Sequence, residues 1–190
     1  VAMTQWVVSD TPPPASRYPR RADATLVPVA EVNFPALPDV HAVARLTAGF
    51  RTANPLLPGN SGEGAALPLW VPQVDADGNA VAGIRHPELS VPLATYTGWN
   101  FTNPDRGDPD SLFPLAGSYI PFSIDESARQ ASGDPRPSIA ARYQDKADFL
   151  QQTRVVAENL VAGRYLLAAD VDAVVQQAAR HWDQLQAGAQ

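Results

Sequence analysis

Proline is distributed very unevenly along this chain of 190 residues. All 19 prolines lie between Pro12 and Pro137, and none follows. Proline has no amide hydrogen to donate, and its ring clashes with the preceding turn of a helix, so it is excluded from helix interiors. The part up to Pro137 is therefore expected to form extended segments, turns and short edge strands, whereas the remainder can be helical.

The composition limits the classes of protein to which the chain can belong. Hydrophobic residues make up 45% of it, which is enough for a buried core. The formal net charge of −6 argues against a nucleic-acid-binding surface, because such a surface needs concentrated basic side chains. The absence of cysteine excludes disulfides, thiolate nucleophiles and zinc–thiolate sites. No apolar run of about 18 residues occurs, so we expect no membrane span.

The proline-free tail has the spacing of two amphipathic helices. The first is expected to start after Asp145, whose carboxylate can cap it, and to end near Gly163. The second is expected to have Asp170 as its N-cap, and the short link of residues 164–169 predicts an antiparallel pair. Core positions at helical spacing are Phe149, Leu150, Thr153, Val156, Ala157, Leu160 and Val161 in the first helix, and Val171, Val174, Val175, Ala178, Trp182 and Leu185 in the second.

Short strands are predicted within the proline-rich part. Residues 67–84 have the pattern of two strands joined by a tight turn at Asp77 and Gly78. Residues 89–99 are strand-like, but Pro92 confines that strand to a sheet edge or a bulge. Taken alone, the chain is therefore expected to be α+β, with a proline-rich extended and short-strand region followed by a helical pair.

Other proline-rich segments are expected to be irregular. Residues 11–38 and 54–68 have the composition of coil, and loops of that length are uncommon in a compact domain. We therefore expect them to lie on another surface. A small helix is predicted from Ser123, because Ser123 and Glu126 match a capping box.

The first eight residues predict the end of an amphipathic helix. Met3, Trp6 and Val7 fall on one side of it, and neither an initiator Met nor a signal-peptide pattern precedes them. We therefore expect the chain to be a fragment that starts within an element. The predicted divisions are the tail of a helix at 1–9, a proline-rich extended and β region at 10–137, and a helical region at 138–190.

Familiar catalytic motifs are weak in this sequence. A nucleophile elbow is written G-x-S-x-G, but in Gly59–Gly64 the second glycine comes one place early and no apolar strand leads into it. A phosphate-binding loop needs a lysine after its glycines, and the only lysine is Lys146. Residues 75–79 are closer to a hairpin turn than to a calcium loop, which would need a later glycine and a closing glutamate.

The three histidines are His41, His86 and His181, and their spacing matches no metal site. His86 is the one candidate for a catalytic residue in this segment, because it stands between Arg85 and Pro87 at a predicted strand end. A loop histidine beside a salt-linked Arg85 is the favoured interpretation. No metal ligand is predicted.

One segment resembles a known family. It is Gly83-Ile-Arg-His-Pro-Glu-Leu-Ser-Val-Pro-Leu-Ala-Thr-Tyr-Thr-Gly-Trp-Asn100, which is similar to the C-terminal signature of a bacterial family of large, mostly uncharacterised alpha/beta-hydrolase domain proteins. The resemblance continues at residues 6–7, 12–19, 26–28, 115–122, 132–139, 142–143, 164–167 and 170–171. It therefore runs nearly from end to end of the chain.

This resemblance implies that the chain is the C-terminal part of an α/β protein of the alpha/beta-hydrolase type. In the family, the nucleophilic Ser and the catalytic His both precede the helix that corresponds to residues 1–8. No catalytic residue of the family can therefore be assigned to this segment. Five residues match the family motif and are predicted either to line the substrate cleft or to anchor the segment: Arg85, Tyr96, Thr97, Trp99 and Tyr119.

The expected function is hydrolysis of an ester or a related acyl bond by a serine hydrolase. The expected partners are the remainder of the hydrolase chain and a small-molecule ester, with no cofactor, and the resemblance is compatible with a periplasmic or secreted location. The alternative is a secreted, non-enzymatic binding or scaffold module that uses Trp70, Tyr96 and Trp99 as a contact surface. Whether this segment is itself enzymatic is left open, and alone it is expected to be inactive.

Overall fold

The computed structural model describes residues 1–38, 40, 70–101, 105, 112–113 and 115–188, with only the backbone described at 112–113. The predicted coil at 54–68, the glycine-rich Gly59–Gly64 segment and His41 lie outside the described residues. Within the described part, no helix combines the length and apolar character needed to cross a bilayer.

The described residues form short strands and helices in mixed order. The helices are α1 (Ala2–Ser9), α2 (Pro87–Ser90), α3 (Glu126–Ser132), α4 (Ile139–Arg142), α5 (Lys146–Ala162) and α6 (Val171–Gly188). The strands are β1 (Leu26–Pro28), β2 (Trp70–Pro72), β3 (Ala94–Tyr96), β4 (Asn100–Phe101), β5 (Leu112–Phe113) and β6 (Tyr119–Pro121). Short 3₁₀ turns occupy Arg21–Asp23, Val29–Glu31 and Ala168–Asp170.

The strands pair in three antiparallel ribbons, β1 with β2, β3 with β6, and β4 with β5. The predicted α+β character of the chain taken alone is confirmed. The strand predicted at 89–99 is shorter than expected, because Pro87–Ser90 forms α2 and only Ala94–Tyr96 pairs as a strand. Each ribbon has two strands, and the three ribbons share no strands in the part that the structure describes.

The predicted tight turn at Asp77 and Gly78 is confirmed, but the pairing of its arms is not as expected. Asp75 donates its backbone N–H to the carbonyl of Asn79 at 2.8 Å, and Gly78 has a positive φ of 79°. The two arms meet in a single bridge, and β2 takes its partner strand, β1, from the segment predicted to be coil at 11–38. The coil prediction was therefore wrong at Leu26–Pro28, where three residues could pair despite the flanking prolines.

Both ends of α5 follow the prediction. The carboxylate of Asp145 accepts the N–H of Asp148 at 2.8 Å, as an N-cap does. At the other end Gly163 is the C-cap, and the left-handed residue is the next one, Arg164, with φ of 63°. Tyr165 donates its N–H back to Leu160 at 2.8 Å, which makes this end a Schellman motif. A Cβ on Gly163 would lie 3.0 Å from the Tyr165 ring, so the glycine is needed for close packing.

Two other predicted caps are corrected by the structure. The cap of α3 is Asp125, which accepts the N–H of Ala128, and the predicted capping box at Ser123 and Glu126 is not formed. Asp170 is the last residue of a 3₁₀ turn that leads directly into α6, and therefore it has helical rather than N-cap conformation. In both places the helical conformation begins at a different residue from the one that the sequence pattern predicts.

The helical pair packs on an aromatic core, as predicted. Helices α5 and α6 run antiparallel, with Lys146 bound to Asp183 at 2.7 Å at one end and Arg154 to Asp172 at 2.8 Å nearer the other. The core residues are Val91, Leu93, Phe122, Ile139, Tyr143, Phe149 and Ala178, with Leu150, Val156, Trp182 and Leu185 packed against them. The core therefore joins the helical tail to α2, β3 and the segment after β6.

Candidate functional site: a cleft between two tyrosines and the last helix

A pair of tyrosines marks one face of the β3–β6 ribbon. The register places Tyr96 directly opposite Tyr119, and their ring centroids lie 5.5 Å apart in an edge-to-face arrangement. Side chains alternate between the two faces of a strand, so Thr95 points away from the tyrosine face. Thr95 is fully buried, whereas Tyr119 is 51% exposed. One face of the ribbon is therefore buried, and the other carries the two tyrosine rings and is partly exposed.

Helix α6 forms the opposite wall of a cleft in front of these tyrosines. Its lining residues recur three and four positions apart, which places them on one face of the helix. The segment after β6 forms the floor. The lining residues are Tyr96, Tyr119, Pro121, Phe122, Ser123, Ile124, His181, Gln184, Leu185 and Gly188, and the volume is about 580 Å³. We call this space the tyrosine cleft.

The phenol hydroxyls of the tyrosine cleft have no hydrogen-bond partner among the described residues. By contrast, the hydroxyl of Tyr143 donates to the carbonyl of Pro92 at 2.8 Å. Burial raises the pKa of both Tyr96 and Tyr119 above the ordinary tyrosine value, and the negative charge of Glu88 raises it further. Both phenols are therefore neutral hydrogen-bond donors at ordinary pH.

Two histidines that are distant in sequence converge on one carboxylate beside the tyrosine cleft. The Nδ1 atom of His181 lies 3.4 Å from Oε1 of Glu88, and Nδ1 of His86 lies 3.9 Å from Oε2. Gln177 donates to Oε1 of the same carboxylate at 3.0 Å. The spacing of the histidines carried no signal for this convergence, because it depends on α6 packing against α2.

This histidine cluster does not form a metal centre. Among the described residues, no three His, Cys, Asp or Glu side chains are placed to hold a metal ion. A small cavity between α2, α5 and α6 is also lined by His86, Glu88 and His181. Its volume of about 10 Å³ suffices for one water molecule at most.

The remaining predicted wall residues lie outside the lining of the tyrosine cleft. The Arg85 guanidinium binds Asp75 at 2.9 Å and also donates to the carbonyls of Ala80 and Leu89. It therefore fastens the Asp75–Asn79 turn to α2, and the interpretation of a salt-linked Arg85 next to His86 is confirmed.

Thr97 and Trp99 lie just beyond the Tyr96 end of β3. The hydroxyl of Thr97 donates to the carbonyl of Trp99 and accepts the N–H of Ser118 at 2.9 Å. The Trp99 ring packs 5.5 Å from both Phe34 and Phe101. Of the five residues predicted to line a substrate cleft or to anchor the segment, only Tyr96 and Tyr119 line the tyrosine cleft.

The aromatic residues of the alternative contact surface have separate neighbours. The Arg21 guanidinium lies 4.0 Å above the ring of Trp70, which places Trp70 at the β1–β2 ribbon. Trp99 packs among phenylalanines, and Tyr96 packs on Tyr119. Each of these rings therefore has its own local packing partner.

A buried asparagine positions Tyr96. Asn79 is fully buried, and its Nδ2 donates to the carbonyl of Ala94 at 3.1 Å while its Oδ1 accepts the N–H of Tyr96 at 2.8 Å. The side chain thus replaces a strand on the open edge of β3 and satisfies the backbone groups there. The turn residue that the sequence marked as part of a hairpin therefore fixes the position of the cleft.

A buried arginine positions Tyr119 from the other strand. Arg136 is 3% exposed and donates to the carbonyl groups of Ile120 at 3.0 Å and Pro121 at 3.1 Å. It also donates to the hydroxyl of Thr95 at 2.7 Å and pairs with Asp134 at 2.7 Å. Sequence reasoning missed this residue, because an arginine between two prolines gives no sign of burial.

Comparison with known families gives one match. The family model described as alpha/beta hydrolase domain matches residues 1–176. Comparison with curated proteins and with solved structures gave no match. The match covers both tyrosines, the floor of the cleft and the first turns of α6.

Proposed function

We propose, from the premise that this chain belongs to the alpha/beta hydrolase domain family, that it forms part of a serine hydrolase that cleaves an ester or a related acyl bond. The observation that carries the proposal is the family match, which extends over residues 1–176. In the proposed reaction a serine hydroxyl attacks the acyl carbon, a histidine accepts its proton, and backbone N–H groups stabilise the oxyanion.

The proposed division of labour places the nucleophile and its histidine outside this segment. The resemblance in the sequence assigns both residues to positions before α1. Two serine hydroxyls near the ribbon are engaged with backbone carbonyls: Ser90 donates to Arg85 at 3.4 Å and Ser118 donates to Trp99 at 3.0 Å. This segment would then supply a wall of the substrate cleft, made by Tyr96 and Tyr119.

Active-site labelling tests the proposal directly. The full-length protein that contains this segment is incubated with a fluorophosphonate, and the modified peptide is identified by mass spectrometry. We expect one modified serine outside residues 1–190 and a parallel loss of p-nitrophenyl butyrate hydrolysis. Substitution of that serine by alanine should abolish both signals, and His86→Ala should leave both in place.

Two results would contradict the proposal. A label on a serine within residues 1–190 would show that the catalytic machinery lies in this segment. Absence of both labelling and ester turnover in correctly folded full-length protein would contradict acyl hydrolysis itself.

A further inference from the structure

We propose that the tyrosine cleft binds an uncharged molecule in which an aromatic or cyclic group adjoins a carbonyl. In this arrangement the ring lies between α6 and the floor of the cleft, and the carbonyl oxygen accepts hydrogen bonds from Tyr96 and Tyr119. The inference rests on the proposed function in one respect, since a neutral ester is the member of this class that a hydrolase would take.

The size and lining of the cleft favour a small organic molecule. Its volume of about 580 Å³ lies within the range of small-molecule sites, which is roughly 300–1,000 Å³. Phe122, Ile124 and Leu185 give the floor and one wall an apolar surface. Such sites typically combine an apolar lining with a few convergent polar groups.

Two phenol hydroxyls of the cleft are hydrogen-bond donors without a partner among the described residues. The hydroxyl of Tyr143 has a carbonyl partner at 2.8 Å, and that of Tyr165 donates to Ala15 at 2.6 Å. The hydroxyls of Tyr96 and Tyr119 have none in the described part of the chain. Two adjacent phenols on facing strands are therefore available to donate hydrogen bonds to a single acceptor atom, such as a carbonyl oxygen.

The charges around the cleft disfavour an anionic ligand. Glu88 lies behind His181 and raises the pKa of both phenols, so its negative charge is felt at the position proposed for the acceptor. The guanidinium groups of Arg142 and Arg136 lie 4.1 Å and 4.8 Å from the ring of Phe122 in the floor, and they pair with Asp77 and Asp134. No lysine or arginine is found among the described residues that line the cleft. A carboxylate in this position would therefore meet no lysine or arginine side chain in that described lining.

A pair of probes with the same naphthyl ring but different charge tests this inference. The probes are 2-acetonaphthone, a neutral aryl ketone that cannot be hydrolysed, and 2-naphthoate, its anionic counterpart. Binding to the full-length protein is measured by calorimetry at pH 7.5. We expect the ketone to bind at least tenfold more tightly than the carboxylate.

Three variants locate the binding site. Gln184 lines the cleft from the exposed side of α6, so Gln184→Trp should fill the cleft without disturbing the core and should weaken ketone binding at least tenfold. Ala187→Trp adds the same side chain at an exposed position of α6 outside the lining and should leave binding unchanged. Tyr119→Phe removes one hydroxyl and should weaken ketone binding about threefold to tenfold.

The outcomes separate this inference from the proposed function. Ketone binding that Gln184→Trp abolishes supports the cleft, even if the full-length protein turns over no ester. Equal binding of both probes, or no effect of Gln184→Trp, overturns the inference even if esters are hydrolysed. Failure of the ketone to bind, together with loss of stability in Gln184→Trp, would show that another segment of the protein fills the cleft, and it would also overturn the inference.

Discussion

Arg142, at the end of α4, donates to both carboxylate oxygens of Asp77, in the turn that precedes β3. One of these hydrogen bonds measures 2.8 Å, and both side chains are more than four-fifths buried. The guanidinium also lies 4.1 Å above the ring of Phe122, which belongs to the core and to the floor of the tyrosine cleft. The ion pair thus joins the proline-rich region to the helical region at the base of the cleft.

Removal of one partner of this ion pair should be strongly destabilising. Arg142→Met leaves the carboxylate of Asp77 buried without a counter-charge, and we expect it to lower the free energy of unfolding by about 3 kcal/mol. Arg154→Met is the matched control, because Arg154 pairs with the largely exposed Asp172, and it should cost less than about 1 kcal/mol. Urea unfolding of both variants measures the difference. Equal effects would show that the Arg142 pair contributes no more than a surface contact.

Tyr96→Phe should change the alkaline end of the stability profile. The folded-state pKa of Tyr96 is raised by burial, so above a pH of about 10 the unfolded chain loses the tyrosine proton while the folded chain keeps it. The folded state therefore loses relative stability as the pH rises. We expect Tyr96→Phe to lose less stability between pH 9 and pH 11 than the original protein. Little change is expected at pH 7, because the hydroxyl has no hydrogen-bond partner in the part of the chain that the structure describes.

Two other tyrosines serve as controls for the alkaline experiment. Tyr143→Phe should also reduce the alkaline loss, but it removes the hydrogen bond to Pro92 and should cost about 1 kcal/mol at pH 7. Tyr18 is 61% exposed, and Tyr18→Phe measures the effect of removing an exposed hydroxyl. An unchanged alkaline slope in Tyr96→Phe would contradict the burial of this phenol.

The backbone and the side chain of Arg164 should change the free energy of unfolding in opposite directions. Its φ of 63° costs a residue with a Cβ about 1 kcal/mol relative to glycine. Its guanidinium, however, donates to the carbonyl of Pro12 at 2.8 Å and to Oε1 of Gln5 at 3.1 Å. Arg164→Ala should therefore be less stable than Arg164→Gly by about 1 kcal/mol, because both lose the side chain and only alanine retains the strain.

Hydrogen exchange distinguishes the two contributions of Arg164. Both variants should exchange faster than the original protein in α1 and in residues 10–17, because both lose the contact with Pro12. If Arg164→Gly and Arg164→Ala were equally stable, the left-handed conformation would carry no strain at this helix end.

The helical tail was predictable because its structure depends on local pattern. The cap at Asp145 and the apolar spacing of α5 and α6 are properties of neighbouring residues, and the structure confirms them. The cap at Gly163 was predictable for the same reason. The left-handed conformation of Arg164 was not, because the sequence pattern pointed to the glycine and not to the residue after it.

The candidate site was predictable only in part, because it depends on pairings between distant segments. Tyr96 and Tyr119 were singled out by their motif, but their cross-strand contact follows from the register of β3 and β6. The spacing of His181 did not indicate its approach to Glu88, which follows from the contact between α6 and α2. The sequence did not indicate that Arg136 is buried, because the hydrogen-bond acceptors of its guanidinium come from three separate segments.

Substitution of Trp99 should mainly lower stability, whereas substitution of Tyr119 should mainly raise KM. Both residues belong to the five that match the family motif. Trp99 packs between Phe34 and Phe101 outside the tyrosine cleft, so Trp99→Ala should lower the free energy of unfolding by about 3 kcal/mol and leave KM for a neutral aryl ester unchanged. Tyr119 is half exposed and lines the cleft, so Tyr119→Ala should raise KM several-fold with less than about 1 kcal/mol of lost stability. Thermal unfolding and steady-state kinetics of the full-length variants, measured well below the melting temperature, separate the two effects. A raised KM in folded Trp99→Ala would place Trp99 at the substrate, and an unchanged KM in Tyr119→Ala would remove the tyrosine cleft from the reaction.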